Sequence, residues 1–499
     1  MDDDVHDTRR NLSRPADGVG PPAASVVPVR GGRVPSVRTA LLRPLARSPR
    51  LRAALISLAL VAVVVACGVA PAATAPPVQL VIWVDTPSIG ASIQQRIIPF
   101  MHDNPNITVK VFDQFGKIRN GDVSTAIEAL ANSDLSPDVV ALTNEDFGLM
   151  SHRADLVDLR PYIEEETNFQ QDDFFPTILQ SFQDKGKQLA IPSEIVPWVV
   201  YYNKDLFAQA KIPAPALDWS TSEFVEDGQR VEANARKQGQ DVGFVTDPTQ
   251  AILPFIESYG VQVPDAVDDP DARWMDDQKT AEALQSFVDL GLRQRVMPTD
   301  QGNRSLGLWF VGRAGMTATF MDQRNLLPPY LQREQGFFLT PTTTASPTPP
   351  PGWKFKWGVT MMPKAEVQTT VYYLSAYGIP ATSRNPDDAW LLIDYLTRHL
   401  PDQAGRAYVP SRESLARSKD FAALYPEDGN QAYVQSVEVG HPVPVWPPTA
   451  SPTYQDLAGA LDGSVHPENA LHAMRDRVQP ILQTLIVTPT PQPTPFGGG

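Results

Sequence analysis

From Gly186 to Phe207 the chain reads GKQLAIPSEIVPWVVYYNKDLF, and this stretch combines a strand with the start of a helix. The run from Val199 to Tyr202 is β-branched and aromatic, which is the composition of a strand. Asn203 to Asp205 then supplies the polar residues that end a strand and begin a helix. Leu206 and Phe207 provide the first apolar side chains of that helix. The stretch therefore predicts a buried strand that turns directly into a helix.

Strand-length apolar runs alternate with helical patterns on the N-terminal side of this stretch. Residues 78–84, 107–112 and 139–142 predict three strands. Between them, apolar residues recur at every fourth position from Ile89 to Met101, and residues 123–131 predict a second helix. This βαβ order predicts an α/β fold with parallel strands joined by right-handed crossovers.

Two further helix starts carry recognisable signals. Ser220 to Glu223 has the spacing of a capping box, in which the first and fourth residues satisfy each other's backbone N–H groups. Asn385 precedes Pro386 and two acidic residues, which predicts an N-cap, a first-turn proline and charges matched to the helix dipole.

Cys67 is the single cysteine of the chain and follows fourteen uncharged residues, 53–66, that are preceded by five arginines. Such a run is too short to cross a bilayer but has the length of a secretory signal core. Residues 64–67, Val-Val-Ala-Cys, resemble the lipobox of bacterial lipoproteins, which implies that Cys67 is lipidated and begins the mature chain. The alternative is a buried thiol at the end of a short anchor helix; the apolar neighbours of Cys67 argue against a nucleophile.

The chain is acidic and lacks the sequence motifs of common enzymes. Its formal net charge is −15, and residues 1–66 contain ten arginines and five aspartates, so the remainder is more acidic still. Such a surface repels nucleic acid and anionic lipid. The seven histidines show no metal-ligand spacing, and the paired acids at 172–173, 268–269 and 276–277 fall where turns or caps are expected. We therefore predict a protein that is not an enzyme and needs no metal or cofactor.

A series of motifs resembles the extracellular solute-binding proteins of ABC sugar importers, the family 1 proteins that include maltose-binding protein. The resemblance spans residues 78–485, and its most specific part is the stretch at 186–207. The other motifs, in the order of the family, are LVIW (80–83), SPDVV (136–140), LVDLRPYI (156–163), WFVGRAGM (309–316), GVTMMP (358–363), SRNPDDAWLLIDYL (383–396) and VPSRESL (409–415).

The resemblance implies a type II periplasmic-binding-protein fold: two α/β lobes, a hinge that the chain crosses three times, and a ligand cleft between the lobes. The Pro/Thr tract at 340–352 then falls in a connecting loop. The expected organisation is an N-terminal arm and lipoprotein signal (1–66), a tether (67–77), lobe 1 (78–194 and 376–415), lobe 2 (195–375 and 416–485) and a disordered tail (486–499).

The resemblance also implies that ligand contacts come from loops at strand ends. Acids, amides and aromatic faces at such positions suit a neutral polyol, and few basic residues occur there. The ligand-binding residues expected on this ground are Asp85, Thr86, Asn144, Glu145, Asp146, Glu194, Trp198, Asp247, Thr249, Asp322, Gln323, Tyr372, Tyr373 and Arg412.

Several of these residues have a structural alternative. Trp198, Trp219, Trp446 and Tyr373 are candidate aromatic platforms for a ligand, but each could instead be a core or lobe-packing aromatic, and Arg412 could cap a helix. Where maltose-binding protein stacks glucose on tryptophans, this chain has Leu142, Asp322 and about Ala450, so maltose itself is not the expected ligand.

The sequence thus leads to a monomeric, lipid-anchored, extracytoplasmic receptor that binds a carbohydrate and delivers it to the transmembrane subunits of an ABC permease. Two alternatives stay open. The same fold could bind a cationic solute, such as a polyamine or a metal complex, through its acidic residues, or a pair of carboxylates could make the protein a surface glycosidase.

Overall fold

A computed structural model describes nine stretches of the chain, all within the compact unit formed by residues 74–499. The predicted signal, Cys67 and the Pro/Thr tract at 340–352 lie outside the described residues. The described stretches are residues 76–118, 122–150, 153–235, 242–267, 269–298, 304–326, 355–399, 408–424 and 430–487.

Twelve strands occur within these stretches. They are β1 (Val78–Trp83), β2 (Ile107–Phe112), β3 (Val139–Thr143), β4 (Gln183–Asp184), β5 (Lys187–Gln188), β6 (Ala190–Asn203), β7 (Val242–Thr246), β8 (Ala314–Phe320), β9 (Trp357–Thr360), β10 (Val371–Gly378), β11 (Val409–Pro410) and β12 (His441–Pro442).

Helices surround the strands, and within the described stretches α1 and α17 are the longest. They are α1 (Pro87–Asp103), α2 (Phe115–Ile118), α3 (Val123–Leu130), α4 (Asn144–Leu149), α5 (Arg160–Glu165), α6 (Pro176–Gln180), α7 (Lys204–Gln209), α8 (Thr221–Ala235), α9 (Pro248–Glu257), α10 (Gln278–Leu292), α11 (Arg304–Phe310), α12 (Pro386–Arg398), α13 (Glu413–Ala416), α14 (Lys419–Leu424), α15 (Gln431–Val439), α16 (Tyr454–Leu461) and α17 (Pro467–Val487). Four 3₁₀ turns add Arg153–Asp155, Gln171–Asp173, Arg273–Asp276 and Met321–Leu326. None of the helices in the described stretches has the length and hydropathy of a membrane span.

One mixed sheet organises the fold, with the strand order β2-β1-β3-β10-β6-β8-β7. β1 pairs in parallel with β2 and β3, and β7 pairs in parallel with β8. The parallel strands predicted for residues 78–142 are therefore confirmed for β1, β2 and β3. The centre differs, because β10 runs antiparallel to β3 and β6, and β6 runs antiparallel to β8 and β9.

Strand β6 changes partners halfway along its length. Its first half, up to Pro197, pairs with β10, whereas Trp198 and the following residues pair with β8. Strand β10 makes a similar transition, because Ser375 and the residues after it pair with β3, while Val371 and Tyr372 pair with the short β12. These two strands carry the chain between the two ends of the sheet.

Alternation along the strands distributes side chains among three apolar cores. On β1, Leu80 and Ile82 face a core that contains Trp390 of α12, whereas Val81 and Trp83 face the opposite side of the sheet. On β6, the odd-numbered residues near its end join the core of Trp83, whereas Trp198, Val200 and Tyr202 enter a third core that includes the buried faces of α9, α10 and α17. Each buried residue of this kind contributes roughly 1.5–3 kcal/mol to stability.

The strand-to-helix stretch at 186–207 folds as the sequence predicts. Asn203 ends β6, and its side-chain oxygen accepts hydrogen bonds from Asp205 N at 3.0 Å and Leu206 N at 3.1 Å, which begins α7. The capping box at the start of α8 is also confirmed, since Ser220 N donates to Glu223 Oε2 at 2.7 Å and Glu223 N donates to Ser220 Oγ at 3.2 Å.

Two local predictions need correction. Helix α12 begins at Pro386 as predicted, but Asn385 does not cap it, because its side chain donates instead to Asp138 Oδ1 at 3.2 Å. The tail was predicted to begin at residue 486, but α17 continues to Val487.

Candidate functional site

A cavity of about 220 Å³ lies beside Tyr373 and takes residues from both ends of the sheet. Glu145 comes from α4, next to β3, whereas Thr249 and Gln250 come from α9, next to β7. We call this space the Tyr373 cavity. It is lined by Glu145, Thr249, Gln250, Ile252, Leu253, Ile256, Val263, Trp274, Leu284, Phe320, Val371, Tyr373, Val443, Pro444, Trp446, Ser451, Pro452, Leu457, Leu471 and Met474.

Helix caps fix the polar residues of the Tyr373 cavity. Asp247 caps α9 by accepting from Thr249 N at 3.0 Å and from Thr249 Oγ1 at 2.7 Å. Thr143 and Asp146 form a capping box at the start of α4, with Asp146 N donating to Thr143 Oγ1 at 3.0 Å. Asp146 and Asp247 thus act on the helix ends, and the neighbouring Glu145 and Thr249 line the cavity.

Tyr373 is the polar aromatic residue of the cavity. Its ring lies 4.6 Å from that of Phe320, centroid to centroid. Burial raises the pKa of its hydroxyl, and the negative charges of Glu145 and Asp322 raise it further. The hydroxyl therefore stays protonated at neutral pH and can donate as well as accept hydrogen bonds.

Asp322 adds an acidic group near this tyrosine. Burial raises the pKa of its carboxyl to about 6. Its Oδ1 is shielded from solvent and has no hydrogen-bond partner among the described residues, while its Oδ2 accepts from Gln323 Nε2 at the long distance of 3.5 Å. Asp322 and Gln323 do not line the cavity themselves, so Asp322 acts on it through its charge.

Two tryptophans form an aromatic corner of the Tyr373 cavity. The rings of Trp274 and Trp446 meet edge to face with centroids 6.2 Å apart. Trp446 Nε1 donates to Pro264 O at 3.1 Å, whereas the buried Nε1 of Trp274 has no partner among the described residues. Trp446 was considered from the sequence as an aromatic platform. Trp274 was not, because no recognisable motif surrounds it and its pairing with Trp446 joins distant parts of the chain.

Of the fourteen residues expected at the ligand site, the structure brings Glu145, Thr249 and Tyr373 together around this cavity. Asp247 and Asp322 are not in the lining, but each acts on a residue that is: Asp247 accepts hydrogen bonds from Thr249, and the charge of Asp322 raises the pKa of Tyr373. Asp85 and Thr86 sit at the turn between β1 and α1, outside the cavity lining. The described part of the chain holds no cluster of His, Cys, Asp or Glu side chains that could bind a metal ion.

Arg412 is the clearest correction, because its guanidinium is buried in the protein. Its Nη1 donates to Phe169 O at 2.8 Å, and the guanidinium lies over the rings of Phe174 and Phe169, 4.3 and 5.0 Å from their centroids. Asp173 and Asp394 lie 3.7 and 3.8 Å away as charge partners. Arg412 therefore neither lines the cavity nor caps α13 with its side chain.

Glu194 and Asn144 are also engaged within the protein. Glu194 is buried, with its Oε1 3.7 Å from Arg96 Nη1. Asn144 donates from Nδ2 to Val443 O at 3.0 Å, and its Oδ1 accepts from Leu374 N at 3.1 Å. Both side chains connect distant segments, which was not visible from sequence spacing, and neither lines the cavity.

Trp198 and Tyr372 are buried because of strand alternation. β6 continues without a break from Ala190 to Asn203, so Trp198 lies inside a strand and packs edge to face on Phe320 at 4.7 Å. Successive residues of a strand point to opposite faces, so Tyr372 enters the core of Trp83 while Tyr373 faces the cavity. Trp219 is likewise a core residue, with its Nε1 donating to Met361 O at 2.9 Å.

Comparisons with known proteins agree with this architecture. Residues 83–399, more than half of the chain, match the family model described as bacterial extracellular solute-binding protein. A chain from Brucella abortus strain 2308, named as a binding protein, is 23% identical over 273 residues, which cover 52% of this chain. The match spans 60% of the length of that curated relative.

Solved structures with similar folds cover most of the chain. The cyclic α-maltosyl-1,6-maltose binding protein of Arthrobacter globiformis superposes with a TM-score of 0.63 at 19% identity, covering 82% of this chain and 100% of that one. UgpB of Mycobacterium tuberculosis, in complex with glycerophosphocholine, gives 0.59 at 16% identity, covering 83% and 100%.

The shared fold has two α/β lobes, a hinge that the chain crosses three times and a ligand cleft between the lobes. The extent of the family match, together with this fold, settles the family: the chain is a bacterial extracellular solute-binding protein.

Proposed function

We propose that this protein captures a sugar or polyol outside the cytoplasmic membrane and delivers it to an ABC permease. The observation that carries the proposal is the Tyr373 cavity, where a carboxylate and two hydroxyls, from Glu145, Thr249 and Tyr373, lie close to the aromatic pair of Trp274 and Trp446. A sugar needs acceptors for its hydroxyl groups and an aromatic face for its C–H surface. The saccharide named for the Arthrobacter structural relative supports the same class of ligand.

Closure of the two lobes around the ligand would signal to the permease that the receptor is loaded. We place lobe 1 at residues 78–194 and 376–415 and lobe 2 at 195–375 and 416–485. The changes of strand partner at Pro197–Trp198 in β6 and around Ser375 in β10 support boundaries near these positions. A ligand that contacts both lobes binds the closed state more tightly and shifts its population, so a permease can distinguish loaded from empty receptor.

Lipidation of Cys67 would hold the receptor at the membrane. The support is the sequence alone: an uncharged run of signal length, a preceding basic segment and a single cysteine placed directly after small and β-branched residues. Metabolic labelling with an alkyne fatty acid should mark the wild-type protein and leave Cys67→Ser unlabelled. Equal labelling of both proteins would refute lipidation at this position.

A cationic solute is the second candidate, and a specific observation favours it. Among the described residues, the cavity lining contains Glu145 and no lysine or arginine, and the charges of Glu145 and Asp322 both act on Tyr373. Glycerophosphocholine, the compound bound by the mycobacterial structural relative, carries a quaternary ammonium group. Cations of this type bind to aromatic faces next to acidic groups.

A thermal-shift screen tests the function and separates the candidates. The Cys67→Ser chain is screened against mono-, di- and oligosaccharides, polyols and polyamines. A ligand with micromolar affinity, present at millimolar concentration, should add about 4 kcal/mol to the stability of the native state. Affinity for a sugar should hardly change with ionic strength, whereas affinity for a cation should fall as salt rises. If no compound shifts the melting curve, the sugar and cation proposals both fail.

A further inference from the structure

The wall of the Tyr373 cavity is far more apolar than a site for a bare polyol requires. Leu253, Ile256, Val371, Leu471 and Met474 line it, and none of these side chains can exchange hydrogen bonds with a hydroxyl group. A sugar placed against this wall would lose its hydrogen bonds to water and gain none in return. The wall therefore calls for a different kind of chemical group from the one that Glu145 and Tyr373 can bind.

The volume of the cavity is enough for a substantial apolar group. Its 220 Å³ exceeds the roughly 150 Å³ of an engineered cavity, lined by Leu, Ile and Phe, that stays dry and binds benzene. A buried water needs two to four polar partners, which the apolar wall does not offer. An aromatic ring or a branched alkyl group of similar size matches both the volume and the lining.

The aromatic corner extends this wall. The rings of Trp274 and Trp446 both line the cavity. Trp274 Nε1 is shielded from solvent, so this ring offers the cavity its apolar surface and not a hydrogen-bond donor. The polar residues near Glu145 are thus suited to one part of the ligand, and the largely apolar wall is suited to another.

We propose that the solute of this receptor is amphiphilic: its polar part contacts Glu145 and Tyr373, and an attached aryl or branched alkyl group packs against the apolar wall of the Tyr373 cavity. Aryl and alkyl glycosides are the class of compound that combines these parts with the sugar proposed above. The inference rests on the proposed function for the polar part alone, because the apolar subsite follows from the cavity wall.

Toluene tests the apolar subsite without any sugar. Thermal shift of the full chain carrying Cys67→Ser should show saturable stabilisation by toluene. Val263→Phe, which places a ring in the cavity, should abolish this stabilisation. Val261→Phe is the matched control, since Val261 packs against the same core without lining the cavity and should leave toluene binding intact. No saturable shift in the unsubstituted chain, or an equal shift in both variants, would overturn the proposal.

A second variant keeps the test decisive if Val263→Phe does not fold. Leu253→Ala enlarges the cavity and should shift the preference from toluene toward propylbenzene. An unchanged preference in a folded Leu253→Ala protein would contradict the assignment of the subsite.

A comparison of phenyl and methyl glycosides of the same sugar tests whether the apolar subsite is used when the receptor binds its solute. Phenyl glycosides should bind at least about tenfold more tightly than the corresponding methyl glycosides, because even one methylene in an apolar pocket is worth about that factor. Toluene binding with no glycoside binding would refute the sugar proposal and leave the apolar subsite in place. Glycoside binding without a phenyl preference, and without toluene binding, would refute the subsite and leave the receptor function in place.

Discussion

Two regions of this protein have charged side chains next to aromatic rings, and they use them in opposite ways. Around Arg412, the guanidinium lies over Phe174 and Phe169 and reaches a carbonyl and two carboxylates of the protein. Around Tyr373, a carboxylate and an aromatic corner border about 220 Å³ of open space. The comparison teaches that residue type alone does not indicate a binding site. What distinguishes the two regions is whether other parts of the chain fill the space beside the charge.

The largest expected effect of a substitution is at Arg412. Arg412→Met removes the buried charge from Asp173 and Asp394 and leaves Phe169 O without its donor. Leaving a buried carbonyl without its donor costs about 1–3 kcal/mol, and the lost contacts of the guanidinium with the two rings add to this. Urea unfolding should show this loss, whereas the affinity of the folded protein for its ligand should hardly change. A large loss of affinity without a loss of stability would show that Arg412 belongs to the binding site after all.

Glu145 should show the reverse behaviour. Glu145→Gln keeps the shape of the side chain but removes the charge beside Tyr373. A hydrogen bond to a charged group is worth about 1.5–3 kcal/mol, so ligand affinity should fall by about ten- to a hundredfold. Calorimetric titration with a ligand from the screen measures this change. If the affinity is unchanged, the polar groups of the ligand do not contact Glu145, and the proposed site is wrong on this point.

Asp146 is the matched neighbour of Glu145 on the same helix. Asp146→Ala removes the carboxylate that accepts from Thr143 N at 3.0 Å and from Thr143 Oγ1 at 2.8 Å. Losing this half of a capping box should lower the free energy of unfolding by about 1 kcal/mol. Ligand affinity should change much less than in Glu145→Gln. If Asp146→Ala weakens binding as strongly, both substitutions act by disturbing helix α4, and the result gives no evidence that Glu145 contacts the ligand.

The smallest expected effect is a dependence of binding on pH. Burial raises the pKa of Asp322 to about 6, above its ordinary value of 3.8, so the folded state binds its proton more tightly than the unfolded state. The contribution of Asp322 to stability is therefore lost as pH rises from about 3.8 through 6. In the same window the carboxyl gains its negative charge, so the affinity for a cation should rise severalfold and the affinity for a neutral sugar should stay nearly constant.

Titrations at pH 5 and pH 7.5 measure this dependence, with Asp322→Asn as the control that should remove it. A pH response that persists in Asp322→Asn would assign the effect to another group.

The sequence predicts features that neighbouring residues determine, and it does not predict which distant segments fill the space beside a side chain. The strand and helix at 186–207 are specified locally, by β-branched residues and by the cap at Asn203, and they fold as predicted. Glu145 and Thr249 were predicted as ligand contacts because they follow strands, and both line the Tyr373 cavity. Because successive side chains of a strand point to opposite faces, Tyr372 and Tyr373 of β10 must face opposite sides of the sheet.

The partners of the buried polar residues could not be predicted in this way. Arg412 meets Phe169, Asn144 meets Val443 and Trp274 meets Trp446 across separations of well over a hundred residues. Such contacts depend on how the whole chain packs, and no local pattern distinguishes a side chain with a distant partner from one that faces open space. The open cavity itself, which carries the functional proposal, is a property of the packed protein.

The most direct test of the central claim is a crystal structure of the Cys67→Ser protein with the tightest ligand from the thermal-shift screen. We predict electron density for the ligand between Glu145 and Tyr373, with its apolar part against Trp274 and Leu471. Density confined to another part of the cleft, such as the turn at Asp85 and Thr86, with an empty Tyr373 cavity, would contradict the account.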